Sequence, residues 1–168
     1  FFGLPQLLQE AGGYDPGIVG LLMLPLAAMS VVVTPLAVRA IDRFGVKRVL
    51  IAGVVLLIVA SGAMWLLTAS FAIPLVFALT ALLGVPYGVV GIASSQGMYL
   101  STLPGERGVA AGIYQTCRYL GAITATVLIG IFYGTGVNQE NWGLMVFVML
   151  GLGAVVFVVS LLWRERRV

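Results

Sequence analysis

The sequence predicts an all-α integral membrane protein, a bundle of six helices whose first is truncated. Three observations carry that expectation. Of the 168 residues, 61% are hydrophobic and only 9% are charged, against about 25% charged in ordinary soluble chains. Five apolar stretches each reach or exceed the ~20 residues that a spanning helix needs. The Lys and Arg residues, with one exception, fall on alternate connections between those stretches, as cytoplasmic loops of membrane proteins require.

The chain opens at Phe1 without an initiator Met, and FFGLPQLLQ reads as the outer end of a helix over 1–9 whose beginning is missing. No targeting peptide is legible from such a start. Membrane segments follow at 17–38, 49–68, 72–100, 108–133 and 143–163, and together with the fragment they make six passes of one transmembrane half-domain, 1–168. The connections are short, so sequence neighbours are expected to lie antiparallel. The segment 72–100 is longer than a bilayer needs and is punctuated by Pro74, Gly84, Pro86, Gly88, Gly91 and Gly97, so a kinked helix is expected. Gly84 with Gly88, and Gly108 with Gly112, form GxxxG pairs that let a neighbouring backbone approach closely. Packing explains these glycines more simply than a dedicated hinge.

Orientation follows from the cations. Arg39, Arg43, Lys47 and Arg48 share one connection, Arg107 lies in the next on that side, and Arg164, Arg166 and Arg167 end the chain. The opposite connections, 10–16, 69–71 and 134–142, carry only Glu10, Asp15 and Glu140. The positive side is the cytoplasmic one. A multi-pass protein of the cell (inner) membrane is expected, with a cytoplasmic C-terminus and an opening helix that runs outward. The net charge of +3 reflects this orientation, and no nucleic-acid partner is expected because the cations do not gather on one soluble face. Membrane lipid is the surrounding partner.

The exception is Arg118. Ten residues from Gly108 at ~1.5 Å each place it roughly 15 Å along its helix, about the midplane of a ~30 Å hydrocarbon core. The cost of an arginine there starts at about 2.5 kcal/mol, so it is expected to face a bundle interior or an aqueous cavity and to have a partner. Helical spacing puts Ala111, Tyr114, Gln115, Gly121, Ala122 and Ala125 on its face. The half from Tyr114 to Arg118 is polar, and the other half is small enough for close packing. On the preceding helix Thr80, Tyr87, Gly91, Ser94 and Ser95 form a weaker polar stripe. Facing each other, the two stretches outline part of a cavity lined by Arg118, Gln115, Tyr114 and Tyr87. The competing reading has Arg118 fixing packing through a carbonyl or carboxylate, with Tyr87 and Tyr99 as packing residues.

The connection RAIDRFGVKR has its own two readings. Four cations are what any cytoplasmic connection carries, but Asp42 beside Arg43 and before Gly45 also suits a latch between helix ends. Absences narrow the chemistry. The five membrane segments hold no Asp, Glu or Lys, so any proton-coupling acid must come from elsewhere, and the same absence argues against a paired-Asp membrane protease. The chain has no His and one Cys, which removes Ser–His and HExxH hydrolases and an internal disulfide and leaves no basis for a His/Cys metal site. Neither enzymatic activity nor a cofactor is expected.

Two stretches resemble a known family. LPQLLQEAGGYDPGIVGLLMLP, with Gln9, Gly13, Tyr14, Asp15, Pro16, Gly20, Leu24 and Pro25, is similar to the outer-loop pattern of the fourteen-helix drug:proton antiporters of the major facilitator superfamily. DRFGVKR resembles the superfamily's cytoplasmic Asp-Arg-x-Gly-Arg-Lys motif through Asp42, Arg43, Gly45, Lys47 and Arg48. Val38 and Val46 depart from it, as in the weaker copy of a C-terminal half. Gly112 to Gly121 resembles the family's Gly…Asn-x-x-Arg-x-x-Gly helix at Arg118 and Gly121, with Gln115 in place of Asn. The resemblance implies a major-facilitator-like six-helix half transporter that works against a missing N-terminal half. It implies proton-coupled efflux of drugs or other amphipathic small molecules. Because the sole membrane charge is positive, export of an anionic metabolite is the alternative, and a non-transporting scaffold is a third.

Overall fold

The computed structural model describes residues 3–68, 72–133 and 139–163. Among them the chain forms six helices and no strand: α1 (Gly3–Glu10), α2 (Pro16–Phe44), α3 (Val46–Ala63) with a 3₁₀ turn over Met64–Thr68, α4 (Ile73–Leu100), α5 (Arg107–Tyr133) and α6 (Gln139–Leu162). The all-α architecture is the one expected. The connections 69–71 and 134–138, which include Gly134 and Gly136, and the terminal Arg164, Arg166 and Arg167 lie outside the described residues.

Local chemistry sets the ends of α2. Asp15 Oδ1 accepts a hydrogen bond from the Gly17 N–H at 2.8 Å, and Pro16 occupies the first turn, where its missing N–H is harmless. The helix then runs through Arg39, Asp42 and Arg43 and stops only at Gly45, whose φ of 86° lies in the region that favours glycine. α3 begins at Val46. The charged stretch expected as a connection is therefore two helix ends joined by one residue.

α4 is the centre of the bundle. It packs against α2 through Gly84 and Gly88: a Cβ at Gly84 would overlap the Leu26 carbonyl oxygen, and one at Gly88 would lie 2.7 Å from that of Ser30. Lipid tails are as apolar as leucine, so association within a membrane rests on such close packing. Gly53 brings α3 onto α4, where its Cβ would lie 2.8 Å from Val89 Cγ1, and Gly153 seats α6 on Ile58 of α3. Pro86 is fully buried within α4, which remains one helix across it. At the end of the bundle near α1, Leu4, Leu7 and Leu8 wedge among Val19, Leu22, Met64, Leu67, Val76 and Leu79.

Among the described residues, four helical stretches are long and apolar enough to cross a membrane: Pro16–Phe44, Val46–Leu67, Ile73–Leu100 and Gly143–Leu162. α1 spans eight described residues, and α5 is 27 residues long with a polar middle. α5 also packs least. Ala110, Ala111 and Tyr114 are half-buried towards one end and Leu128 and Ile129 are covered towards the other, while every residue from Gln115 to Val127 is exposed. Gly108 and Gly112 meet nothing within 4 Å. Among the described residues, the second GxxxG pair thus approaches no backbone, unlike the first.

Candidate functional site

A crevice of about 250 Å³ opens between α2 and α4, lined by Ser30, Val31 and Thr34 on one side and Tyr87, Gly88, Gly91 and Ile92 on the other. Both sets follow the i, i+1, i+4 spacing of a single helix face. Gly88 draws the helices together, whereas Gly91 meets nothing within 4 Å and leaves the crevice open. The Ser30 hydroxyl donates to the Ala27 carbonyl at 2.8 Å and the Thr34 hydroxyl to the Ser30 carbonyl at 2.7 Å. Each hydroxyl has one proton to give. Both oxygens are thus left as acceptors beside the Tyr87 ring, a surface suited to a molecule that is apolar in part and carries hydrogen-bond donors.

Tyr87 accordingly lines this opening, together with Val31 and Ile92. Ser30 and Thr34 were not singled out from sequence, although two hydroxyls four residues apart just before Pro35 in an apolar stretch are a usable signal. Thr80 is not part of the crevice: it is fully buried and bonds the Phe77 carbonyl at 3.0 Å.

Tyr114, Gln115 and Arg118 lie together on α5, apart from that crevice. The Arg118 guanidinium stands 6.0 Å from the Tyr114 ring centroid, at the outer limit of a cation–π contact. Gln115 Nε2 donates to the Tyr119 hydroxyl at 3.3 Å. Gln115 and Arg118 are exposed. Arg118 forms no ion pair among the described residues, so nothing there consumes its charge.

The charged residues cluster at the α2–α3 joint. Arg43 lies with its guanidinium 5.4 Å from the Phe44 ring centroid. Lys47 Nζ donates to the Leu161 carbonyl at 2.9 Å, tying the start of α3 to the end of α6, where unpaired helix carbonyls favour a cation. Asp42 and Arg48 are exposed, and neither forms an ion pair among the described residues. A latch through Asp42 therefore has its partner elsewhere or does not form in this conformation.

The sequence pattern that defines the Major Facilitator Superfamily matches residues 1–168. The chain belongs to this superfamily of transporters. It is 36% identical over 157 residues to the uncharacterized MFS-type transporter YwoD of Bacillus subtilis, covering 91% of this chain and 34% of that protein. It is 30% identical to the multidrug resistance protein Stp of Mycobacterium tuberculosis, covering 74% of this chain and 23% of Stp. The multidrug efflux pump LfrA of Mycolicibacterium smegmatis is 26% identical over 79% of this chain and 26% of LfrA. The chain thus spans about a quarter to a third of the length of these relatives. No solved structure matches it.

Proposed function

We propose that this major facilitator chain acts as the C-terminal half of a secondary transporter that exports drugs or other amphipathic compounds in exchange for protons. The observation that carries the reading is the bare middle of α5. Its Gln115 and the sole membrane arginine, Arg118, are exposed rather than spent on packing, which leaves them for a cavity shared with an N-terminal half that also supplies the proton-coupling acid. The names of Stp and LfrA as multidrug proteins support the substrate class, as does the acceptor-lined crevice at Tyr87. In everted vesicles containing the full-length protein, a proton gradient should drive uptake of an amphipathic fluorescent cation, and an uncoupler should abolish it. Uptake indifferent to the uncoupler would overturn proton coupling.

The positive charge of Arg118 favours a second reading, export of an organic anion. The same vesicles then accumulate a labelled anionic compound and ignore the cation.

The proposed orientation places the chain in the cell membrane with its C-terminus and α2–α3 joint cytoplasmic. In a Cys117→Ser background, Glu10→Cys should react with an impermeant maleimide on intact cells, and Gly105→Cys only after permeabilisation. Gly105 suits the test because nothing lies within 4 Å of its Cβ position. The reverse pattern would invert the topology.

The joint has a functional role in this proposal. Asp42→Asn in the full-length protein should lower transport while membrane abundance stays near normal. Unchanged transport would leave the joint a topological signal alone.

A further inference from the structure

α2 and α3 both pack on α4, yet they diverge from one another above their joint at Gly45. The divergence leaves a groove of about 440 Å³, walled by Leu36, Ala40 and Phe44 of α2 and by Ala52 and Leu56 of α3, with Val89 of α4 on its floor. Arg48 is its one polar lining residue. From Val33 to Phe44 the groove follows twelve residues of α2, eleven steps of ~1.5 Å or ~16 Å, which is about the depth of one leaflet of a ~30 Å core. Its apolar lining and its length match one extended hydrocarbon chain reaching in from the leaflet.

Its charged end selects what that chain is attached to. The exposed Arg48 has no hydrogen bond or ion pair among the described residues, and Arg43 stands over the Phe44 ring at the same end. Gly45 caps α3 without a side-chain acceptor, so the first-turn N–H groups beside Arg48 add to the positive potential. Asp42 carries the negative charge nearby, but two residues from both Ala40 and Phe44 it lies on the opposite face of α2. We infer that the α2–α3 groove binds an anionic glycerophospholipid of the leaflet at the joint, one acyl chain between the helices and the phosphate on Arg48. This site is separate from the proposed transport path and does not depend on the transported substrate.

The test uses the full-length transporter in nanodiscs of mixed phosphatidylglycerol and phosphatidylcholine. Phosphatidylglycerol carrying a photoreactive acyl chain should label the unaltered protein at Leu36, Ala40 or Leu56. In native mass spectrometry the protein should retain phosphatidylglycerol in preference to phosphatidylcholine. One charge-assisted contact corresponds to about a tenfold preference, so Arg48→Gln should remove most of it and Arg48→Lys should keep a large part. Ala52→Phe should block retention by filling the groove with the charge intact. Labelling spread evenly over the lipid-exposed faces of α5 and α6, or equal retention of the two lipids by the unaltered protein, overturns the site. So does undiminished preference in Arg48→Gln.

Discussion

Gly84→Leu is expected to cost the bundle the upper part of the ~1–3 kcal/mol typical of overpacking, or more, and to remove most of the protein from the membrane. The expectation rests on what the new atoms would meet. A Cβ at Gly84 would overlap the Leu26 carbonyl oxygen and lie 2.8 Å from Met29 Cβ. A backbone oxygen and a first side-chain carbon cannot rotate away, so α2 and α4 must separate along the seam that also holds Gly88 against Ser30. Gly112→Leu is the control. It belongs to the same GxxxG pattern but meets nothing within 4 Å, so its effect should stay within about 0.5 kcal/mol. Thermal unfolding in detergent, with abundance in membranes, reads both variants. Equal sensitivity at the two sites would contradict the assignment of the seam to Gly84 and Gly88.

That contrast shows what was legible in the sequence. A GxxxG pair states that close approach is allowed, and it does not state what approaches. Gly84 and Gly88 meet a backbone because α2 is there, whereas Gly108 and Gly112 look the same in sequence and meet nothing within 4 Å among the described residues. The helical architecture was readable because apolar runs of spanning length have few other solutions. The end of α2 was not readable from hydropathy, since a helix continues through Arg39 and Asp42 for as long as its backbone bonds are made. Gly45 ends it through a positive φ. Tyr87 was visible as an aromatic in a glycine-rich stretch, while Ser30 and Thr34 passed as helix hydroxyls bonded to their own backbone. Only pairing with α4 makes them one wall of a crevice. The α5 cluster was visible because one arginine in an apolar run is costly, but whether it joins the Tyr87 crevice depends on how α5 packs beside α4, which no local pattern encodes.

Arg118→Lys should reduce transport by about tenfold or more, because it keeps the charge and loses the planar fork whose hydrogen bonds to charged groups are worth about 1.5–3 kcal/mol each. Folding should be nearly unaffected. Arg118 is exposed and its described contact is the Tyr114 ring at 6.0 Å, an interaction worth about 0.5–1 kcal/mol at an exposed site. Arg118→Ala should therefore also stay close to the unaltered protein in stability while losing transport. If Arg118 instead fixes packing against a carboxylate from another part of the transporter, Arg118→Ala leaves that group buried and unpaired, and a loss of about 3–5 kcal/mol follows. Thermal stability in detergent and transport in vesicles, measured on both variants of the full-length protein, separate the cases. Normal stability with lost transport supports a cavity role. A stability loss large enough to explain the lost transport assigns Arg118 to packing, and two variants that transport normally remove it from the mechanism altogether.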